Sequence, residues 1–403
     1  MAPTSKKQLG NVLVIGGCGF LGHHIVNLLL SSYDCKISVL DLYTTRNRRP
    51  DSDGVGYFNG DITSLDALIP IFNKIKPDVV IHTASPTLVG GNKQMFYKVN
   101  VEGTKSVVEA CKQTGVKALV YTSSASVISD NATDLINADE RWPIIPPKSQ
   151  TEYYSQTKVC YAINHYGLKG NAFKPDPNFS QTHVLITNQQ AEAEIHVLSQ
   201  NRTGSSKFLT CALRPAGIFG EGDVQMVPNM MNVYRDQKTG FQLGDNTNLF
   251  DFTYVGNVAH AHCLAAYALL RTSALSTAPL SHEKIDGEVF MITNCEPVYF
   301  WDFARMIWKC QGSTKGTEHV WVISKEVGNI LGTLMEWGFW LVGKKSKLTP
   351  REVKYSCMTR YYDCTKAKER LGYEPIVKLP EGIRRAVKAL EDQYQKEGEK
   401  KSQ

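Results

Sequence analysis

Residues 11–32 read NVLVIGGCGFLGHHIVNLLLSS. Asn11-Val-Leu-Val-Ile15 is a short β-rich run, glycines punctuate the next seven positions, and HHIVNLLLSS is helix-like. Strand, Gly-rich turn and helix in that order form a dinucleotide-binding fingerprint. Gly16 permits the tight turn, Gly19 lets the backbone approach a pyrophosphate, and Gly22 lets helix and sheet pack closely. The helix N-terminus then offers unpaired amides and a positive dipole end to the phosphates.

A second β-rich run, Lys36-Ile-Ser-Val-Leu40, ends in Asp41. A carboxylate about twenty residues beyond the glycines suits the adenosine ribose hydroxyls and repels a 2′-phosphate, which favours NAD. Arg46, Arg48 and Arg49 follow closely and leave NADP open. Further strands are expected at 55–59, 78–82 and 118–122, separated by helical segments at 63–75 and 95–114. Such alternation predicts an α/β fold, a doubly wound parallel sheet of the Rossmann type covered on both faces.

The hydrophobic content of 42% and charged content of 21% are those of an ordinary globular protein, and a net charge of +6 without a long basic tract outside the C-terminal tail speaks against nucleic-acid binding. Ten cysteines are scattered with no CxxC pair and no metal-like spacing, so free thiols in a reducing compartment and no metal are expected. The N-terminal residues carry no secretory signal pattern. Residues 327–343 (VGNILGTLMEWGFWLVG) contain an acid and are short for a membrane span. They read as a helix packed on the core or cleft, or as one inserted into a single bilayer face through Trp337 and Trp340.

The strand ending at Thr122 runs into Ser123-Ser124-Ala125-Ser126. Sites in open α/β sheets lie at the carboxyl ends of strands, which makes Ser124 a candidate, although serines there are commonly turn formers. Tyr154 and Lys158 stand four apart, on one face if the segment is helical. A tyrosine of pKa about 10 is a poor base, but an adjacent ammonium and a positive nicotinamide both favour its phenolate. Ser124 can then hold a substrate oxygen while Tyr154 removes its proton and hydride leaves for the cofactor. Tyr153 competes for the role, yet its partner four residues on, Thr157, supplies no charge. His82 is a weaker candidate, since filling a strand end accounts for it equally well.

This combination resembles the extended short-chain dehydrogenase/reductase superfamily over nearly the whole chain. The resemblance includes Asp61-Ile62, Asn100-Val-Glu-Gly-Thr104 and Leu371-Gly-Tyr373. His82-Thr-Ala-Ser-Pro86, Tyr121-Thr-Ser-Ser-Ala-Ser-Val127, Arg214-Pro-Ala-Gly-Ile-Phe-Gly-Glu-Gly-Asp223, Asp251–His262 and Glu296–Phe303 narrow it to the 3β-hydroxysteroid dehydrogenase branch, and within that to the decarboxylating fungal type. The resemblance implies oxidation of the 3β-hydroxyl of a 4α-carboxysterol and loss of the carboxylate as carbon dioxide. It also implies cofactor contacts from Gly16, Gly19, Phe20, Leu21, Gly22, Asp41, Asp61, Ile62, Ala84, Asn100, Tyr154, Lys158 and Pro215, with Ser124, Tyr154 and Lys158 catalytic. Residues 1–215, returning at 251–289, would form the NAD-binding domain, and 216–250 with 290–403 a smaller C-terminal substrate lobe. The location implied is the cytosolic face of the endoplasmic reticulum membrane, peripheral or monotopic, with the cytoplasm as the alternative. Lys400-Lys-Ser-Gln403 has the spacing of a dilysine retrieval signal, as a charged tail can by chance. Partners would be the sterol, other enzymes of sterol C4-demethylation at the membrane, and a second copy in a homodimer. Alternatives are a plain 3β-hydroxysteroid dehydrogenase, a sugar-nucleotide epimerase or dehydratase, whose diphosphate would need a more basic lobe, and a catalytically impaired NAD-binding protein.

Residues 159–190 depart from the pattern. The superfamily places an acid four residues after the lysine, but Ala162 stands there. Joining Lys158 directly to Ala191 puts Glu194 at that position and restores a helical pattern. The segment holds scattered Asn, Gly and Pro and one acid, so an excursion loop beside the site and a translated intron both account for it. Val159-Cys160 can be encoded by GTATGT, Ile186–Asn188 can contain TACTAAC, and Gln190 can be CAG; these donor, branch-point and acceptor matches at its edges favour the intron. The form lacking 159–190 is then expected to be active and the full chain weakly active or inactive, because the Tyr/Lys pair needs sub-ångström placement. Sequencing the transcript across codons 155–195 checks this origin, and uniform retention of the segment removes it.

Overall fold

The apolar runs of the first half form five strands of one covered parallel sheet, and two more strands come from the second half. The computed structural model describes residues 6–86, 93–131, 133–145, 182–203, 207–341 and 348–402. The strands are β1 (Lys7–Ile15), β2 (Tyr33–Asp41), β3 (Gly56–Asn59), β4 (Val79–His82), β5 (Ala118–Thr122), β6 (Leu209–Pro215) and β7 (Val289–Ile292). They lie in the order β7-β6-β5-β4-β1-β2-β3, with every pairing parallel. Strand order reverses between β1 and β4, and the crevice beyond their carboxyl ends is where α/β sheets take their ligands.

Five helices position the sheet: α1 (Phe20–Ser32), α2 (Leu65–Ile75), α3 (Thr104–Gln113), α4 (Thr182–Ser199) and α5 (Val255–Ser273). Alternate residues of β1 serve opposite faces, which is why its sequence is apolar without alternation. Val12 and Val14 join Ile25, Val26 and Leu29 of α1 and Val258, Ala261 and Ala265 of α5 in one core. Leu13 and Ile15 join Leu68 and Phe72 of α2, Val107 and Cys111 of α3 and Val197 of α4 in the other. The chain before α3 is helical from Lys93 and widens into a π-helical turn at Lys98–Gly103. Such turns recur at functional sites, and this one carries Asn100.

A four-stranded sheet lies beside the site, in the order Val298–Tyr299, Leu249–Phe250, Arg360–Tyr362, Leu135–Ala138. Arg360–Tyr362 runs parallel to both its neighbours. A segment near the C-terminus is thereby inserted next to the chain that follows β5.

The described end of the anomalous segment, 182–190, is helical and runs on into 191–199, although 159–190 carries no helical periodicity in its sequence. Ala191, Ala193, Glu194 and Val197 are buried in the half of α4 beyond the proposed junction. Anchored there, the helix propagates backwards at little cost, since extension is far easier than nucleation. Among the described residues, no helix is long and apolar enough to cross a membrane.

Candidate active site

The turn after β1 is built by exclusion of side chains. Gly16 has φ +80°, and a Cβ on it would lie 2.7 Å from the Ala84 nitrogen. A Cβ on Gly22 would lie 2.1 Å from the Gly16 carbonyl oxygen, so α1 starts against the turn only because that position is bare. Gly19 is different: within 4 Å its Cβ would meet only the Gly16 oxygen, at 3.1 Å. Space is left beside the backbone there, and no side chain caps α1. Open room at Gly19 and uncapped amides fit a pyrophosphate. Phe20 and Leu21 open the helix, the first half-buried and the second buried.

At the end of β2, an Asp41 carboxylate oxygen accepts from the Cys18 N–H at 3.0 Å, which ties the acid to the glycine turn. Burial, reinforced by Asp41, pushes the Cys18 thiol up to about 11, so it stays protonated. Arg48 is engaged by Asp51 at 2.8 Å and lies over the Tyr57 ring, and Arg49 is engaged by Asp53. Beyond β3, Asp61 is exposed and accepts from the Thr63 N–H at 2.9 Å, while Ile62 is buried against Gly103. Ala84 follows β4 and presses on Gly16.

Ser124 follows β5, and its hydroxyl oxygen accepts from the Ser126 N–H at 3.1 Å. Ser126 in turn accepts from Arg360 Nη2 at 2.9 Å. Pro215 ends the neighbouring strand β6 and is buried. The ends of β1 to β6 therefore bring Gly16, Asp41, Asp61, Ile62, Ala84, Ser124 and Pro215 to one edge of the sheet, with Asn100 buried in the adjoining helix. Tyr154 and Lys158 lie outside the described residues, as does most of 159–190.

His82 fills a strand end. It is buried, and its Nε2 lies 3.1 Å from Thr104 Oγ1, which itself donates to the Asn100 carbonyl. Thr104 must then accept from His82, which leaves Nδ1 unprotonated. Two contacts were not read from the sequence. Arg214 and Glu194 form a buried ion pair, with Arg214 Nε donating to Glu194 Oε2 at 3.0 Å. Arg360 reaches Ser126 from a strand far along the chain. The spacing pattern marked Glu194, but nothing in it marked Arg214 as the partner.

An open parallel sheet, a glycine turn fitted to phosphate and a serine after β5 define a nucleotide-binding enzyme of the short-chain dehydrogenase type. The chain belongs to the 3-beta hydroxysteroid dehydrogenase/isomerase family, whose profile matches residues 13–164 and 168–323. The break between the two matched stretches falls inside 159–190. The chain is 39% identical to the decarboxylating sterol-4-alpha-carboxylate 3-dehydrogenase of Saccharomyces cerevisiae, across 96% of this chain and 99% of that one. It is 33% identical to the Homo sapiens enzyme of the same description, across 96% and 90%. Among solved structures, a UDP-galactose 4-epimerase superposes with TM-score 0.60 at 18% identity, covering 95% of this chain and 99% of the other. A dTDP-glucose 4,6-dehydratase from Bacillus anthracis in complex with NAD superposes with TM-score 0.59 at 17% identity, covering 95% and 97%. These two likenesses concern the fold.

His82 and His262 generate a pH dependence. Burial pushes each down to about 4. His262 Nδ1 lies 2.8 Å from the Val258 carbonyl and must donate to it, so its Nε2 accepts from Thr122 at 2.7 Å in the neutral form. Between about pH 4 and the ordinary histidine value near 6.5, the unfolded chain binds more protons than the folded one. Stability is therefore full above about pH 6.5 and falls with acidification, by up to about 3 kcal/mol per histidine at pH 4. Urea unfolding across that range should show this fall, and His262→Gln should flatten it. An equal slope in the variant would count against the assignment.

Proposed function

We propose that this chain oxidises the 3β-hydroxyl of a 4α-carboxysterol with NAD⁺ and releases the 4-carboxylate as carbon dioxide, a step of ergosterol-type sterol synthesis. The observation that carries the reading is Ser124 at the end of β5, on the same sheet edge as the glycine turn, in a chain with relatives of that description at 33–39% identity. Residues 1–215 and 251–289 would hold the cofactor, and 216–250 with 290–403 the sterol.

Gly16, Gly19, Phe20, Leu21 and Gly22 would hold the pyrophosphate and Asp41 the adenosine ribose. Asp61 and Ile62 would flank the adenine, Ala84 and Asn100 would lie along the cofactor, and the backbone after Pro215 would meet the carboxamide. Asp41, together with the engagement of Arg48 and Arg49 by Asp51 and Asp53, supports NAD over NADP. When bound, NAD⁺ supplies the acceptor for the C3 hydride. Ser124 already accepts from Ser126, so its own O–H is left to donate to the sterol oxygen. Tyr154 would take the C3 hydroxyl proton, and Lys158 would lower its pKa and hold the nicotinamide ribose. The product is a β-keto acid. Its C4–carboxylate bond breaks as the electron pair moves into the C3 carbonyl, and the resulting enolate oxygen is held by the Ser124 and Tyr154 hydroxyls.

Incubation with a 4α-carboxysterol and NAD⁺ should yield a ketone one carbon shorter, carbon dioxide and NADH. The form lacking 159–190 should exceed the full chain, and Ser124→Ala should lower kcat by about 10²-fold. Turnover of a sugar nucleotide instead would overturn the assignment.

A peripheral location on the cytosolic face of the endoplasmic reticulum membrane, among other C4-demethylation enzymes, belongs to the same proposal. Helix Lys325–Leu341 is inverted relative to an ordinary surface helix. Gly328 and Gly332 face inward, where a Cβ on Gly332 would lie 2.9 Å from the Pro350 nitrogen. Val327, Ile330, Leu334 and Trp337 are exposed, Trp337 to 69%. Phe241 and Trp321, on a neighbouring strand pair, extend the apolar surface, with Trp321 75% exposed. Tryptophan-bearing apolar patches of this kind suit the headgroup boundary. The protein should co-sediment with phosphatidylcholine vesicles, and Trp321→Glu with Trp337→Glu should weaken that about 10-fold or more. Equal sedimentation of both forms would rule the patch out as the contact.

A further inference from the structure

We propose that Cys295 and Cys364 form a peroxide-responsive dithiol, in which Cys295 is the sulfur oxidised and Cys364 the sulfur that closes a disulfide with it. The two residues are far apart in the chain, and Thr293, directly after β7, brings them together. Thr293 Oγ1 accepts from the Cys295 N–H at 2.9 Å and donates to Cys364 Sγ at 3.8 Å. Cys295 Sγ lies 4.0 Å from the carbonyl oxygen of the same threonine. The two thiols also hydrogen-bond one another, and the ammonium of Lys368, one helical turn beyond Cys364, hydrogen-bonds Cys295. The loop that carries Cys295 is pinned from several sides. Asn294 Oδ1 accepts from the Tyr254 N–H at 3.0 Å and from Asn257 Nδ2 at 2.7 Å. The Tyr373 hydroxyl donates to the Thr293 carbonyl at 2.7 Å, and Glu296 accepts from the Leu379 N–H at 3.0 Å. Between these anchors Cys295 is held at φ +54°, a left-handed conformation that residues other than glycine adopt at a cost. The backbone therefore cannot carry the sulfur away from Cys364.

The two sulfurs are set for different roles. Cys364 is buried, whereas Cys295 is half-buried and Lys368 is exposed. The hydrogen bond from Cys364, with the Lys368 charge, holds the Cys295 thiol below the ordinary thiol range against the opposing effect of burial. The same shared proton pushes Cys364 up. Burial pushes the other described cysteines up, the exposed Cys310 included. A half-buried thiolate backed by a second thiol is what a peroxide oxidises selectively. The Cys295 thiolate attacks one peroxide oxygen, the O–O bond breaks, and the departing hydroxide takes a proton and leaves as water. Cys295 becomes a sulfenic acid, oxidised by two electrons. The Cys364 sulfur then attacks the Cys295 sulfur, the S–O bond breaks, and the hydroxide leaves with the Cys364 proton as a second water. A small dithiol reductant returns two electrons and two protons to the pair and is itself oxidised to a disulfide. The bond joins the loop after β7 to the segment leaving Arg360–Tyr362, so oxidation staples the seven-stranded sheet to the four-stranded one.

The test exposes the reduced full chain to a small molar excess of hydrogen peroxide and digests it with trypsin in the absence of reductant. A peptide pair joining 285–305 to 361–366 should appear, two hydrogens lighter than its separate halves, and should vanish after dithiothreitol. In Cys364→Ser the disulfide cannot close, so dimedone should trap a sulfenic acid at Cys295 at least about 10-fold faster than at Cys310. Oxidation of wild-type Cys295 to the sulfonic acid with Cys364 untouched would overturn the proposal. Trapping at Cys310 ahead of Cys295 would do the same. Absence of the linked pair at every peroxide dose would reduce the two cysteines to core packing. The linkage is read on the wild-type chain, so misfolding of the variant can neither imitate nor hide it. Neither readout depends on turnover, so the outcome is separate from the identity of the substrate.

Discussion

The contact between Gly22 and the Gly16 carbonyl is the constraint from which the rest of the site follows. With 2.1 Å between an imagined Cβ and that oxygen, α1 can begin where it does only if position 22 carries no side chain. That approach aims the helix N-terminus across the turn and leaves the space beside Gly19 open. It also holds β1 against the end of β4, where Ala84 touches Gly16. The phosphate site proposed for this turn, made of backbone amides, needs this rigidity, because its donors cannot be re-aimed by side-chain rotation.

From that turn the parallel sheet carries the chemistry sideways. Each strand delivers its last residue to the same edge, so residues distant in sequence meet without a long loop to place them. The apolar cores on both faces make the edge stiff. The buried Arg214–Glu194 pair binds α4 to β6 within this layer, and removal of either partner would leave a buried charge unanswered. The four-stranded sheet adds a second source of order. It takes Arg360–Tyr362 from late in the chain and lays it beside the loop that holds Ser124, where Arg360 donates to Ser126.

Much of this was legible in the sequence, for identifiable reasons. Glycine spacing encodes backbone proximity directly, so the tight turn at Gly16 and the close packing at Gly22 were legible there. Unbroken apolar runs encode strands buried on both faces, so the parallel sheet was legible too. The end of β2 named Asp41, and the end of β5 named Ser124. Less visible was whatever depends on a partner far away. Nothing local marks Arg360 as a neighbour of Ser126, since its strand finds its place only by pairing with Leu135–Ala138 and Phe250. His82 was compatible with filling a strand end or with chemistry, and its burial against Thr104 fits the first.

The helix at 325–341 shows the same division. Its sequence is apolar, and both a packed and a surface role were compatible with that. The choice was made by glycines at 328 and 332, which let the backbone sit against Pro350 and turn the large side chains outward. Sequence alone therefore determined the class of fold, the nucleotide turn and the serine at the strand end, because short-range sterics and period encode them. The tertiary structure decided which charges face which hydroxyls and which apolar face stays uncovered, because those depend on distant segments meeting, and no local pattern carries that information.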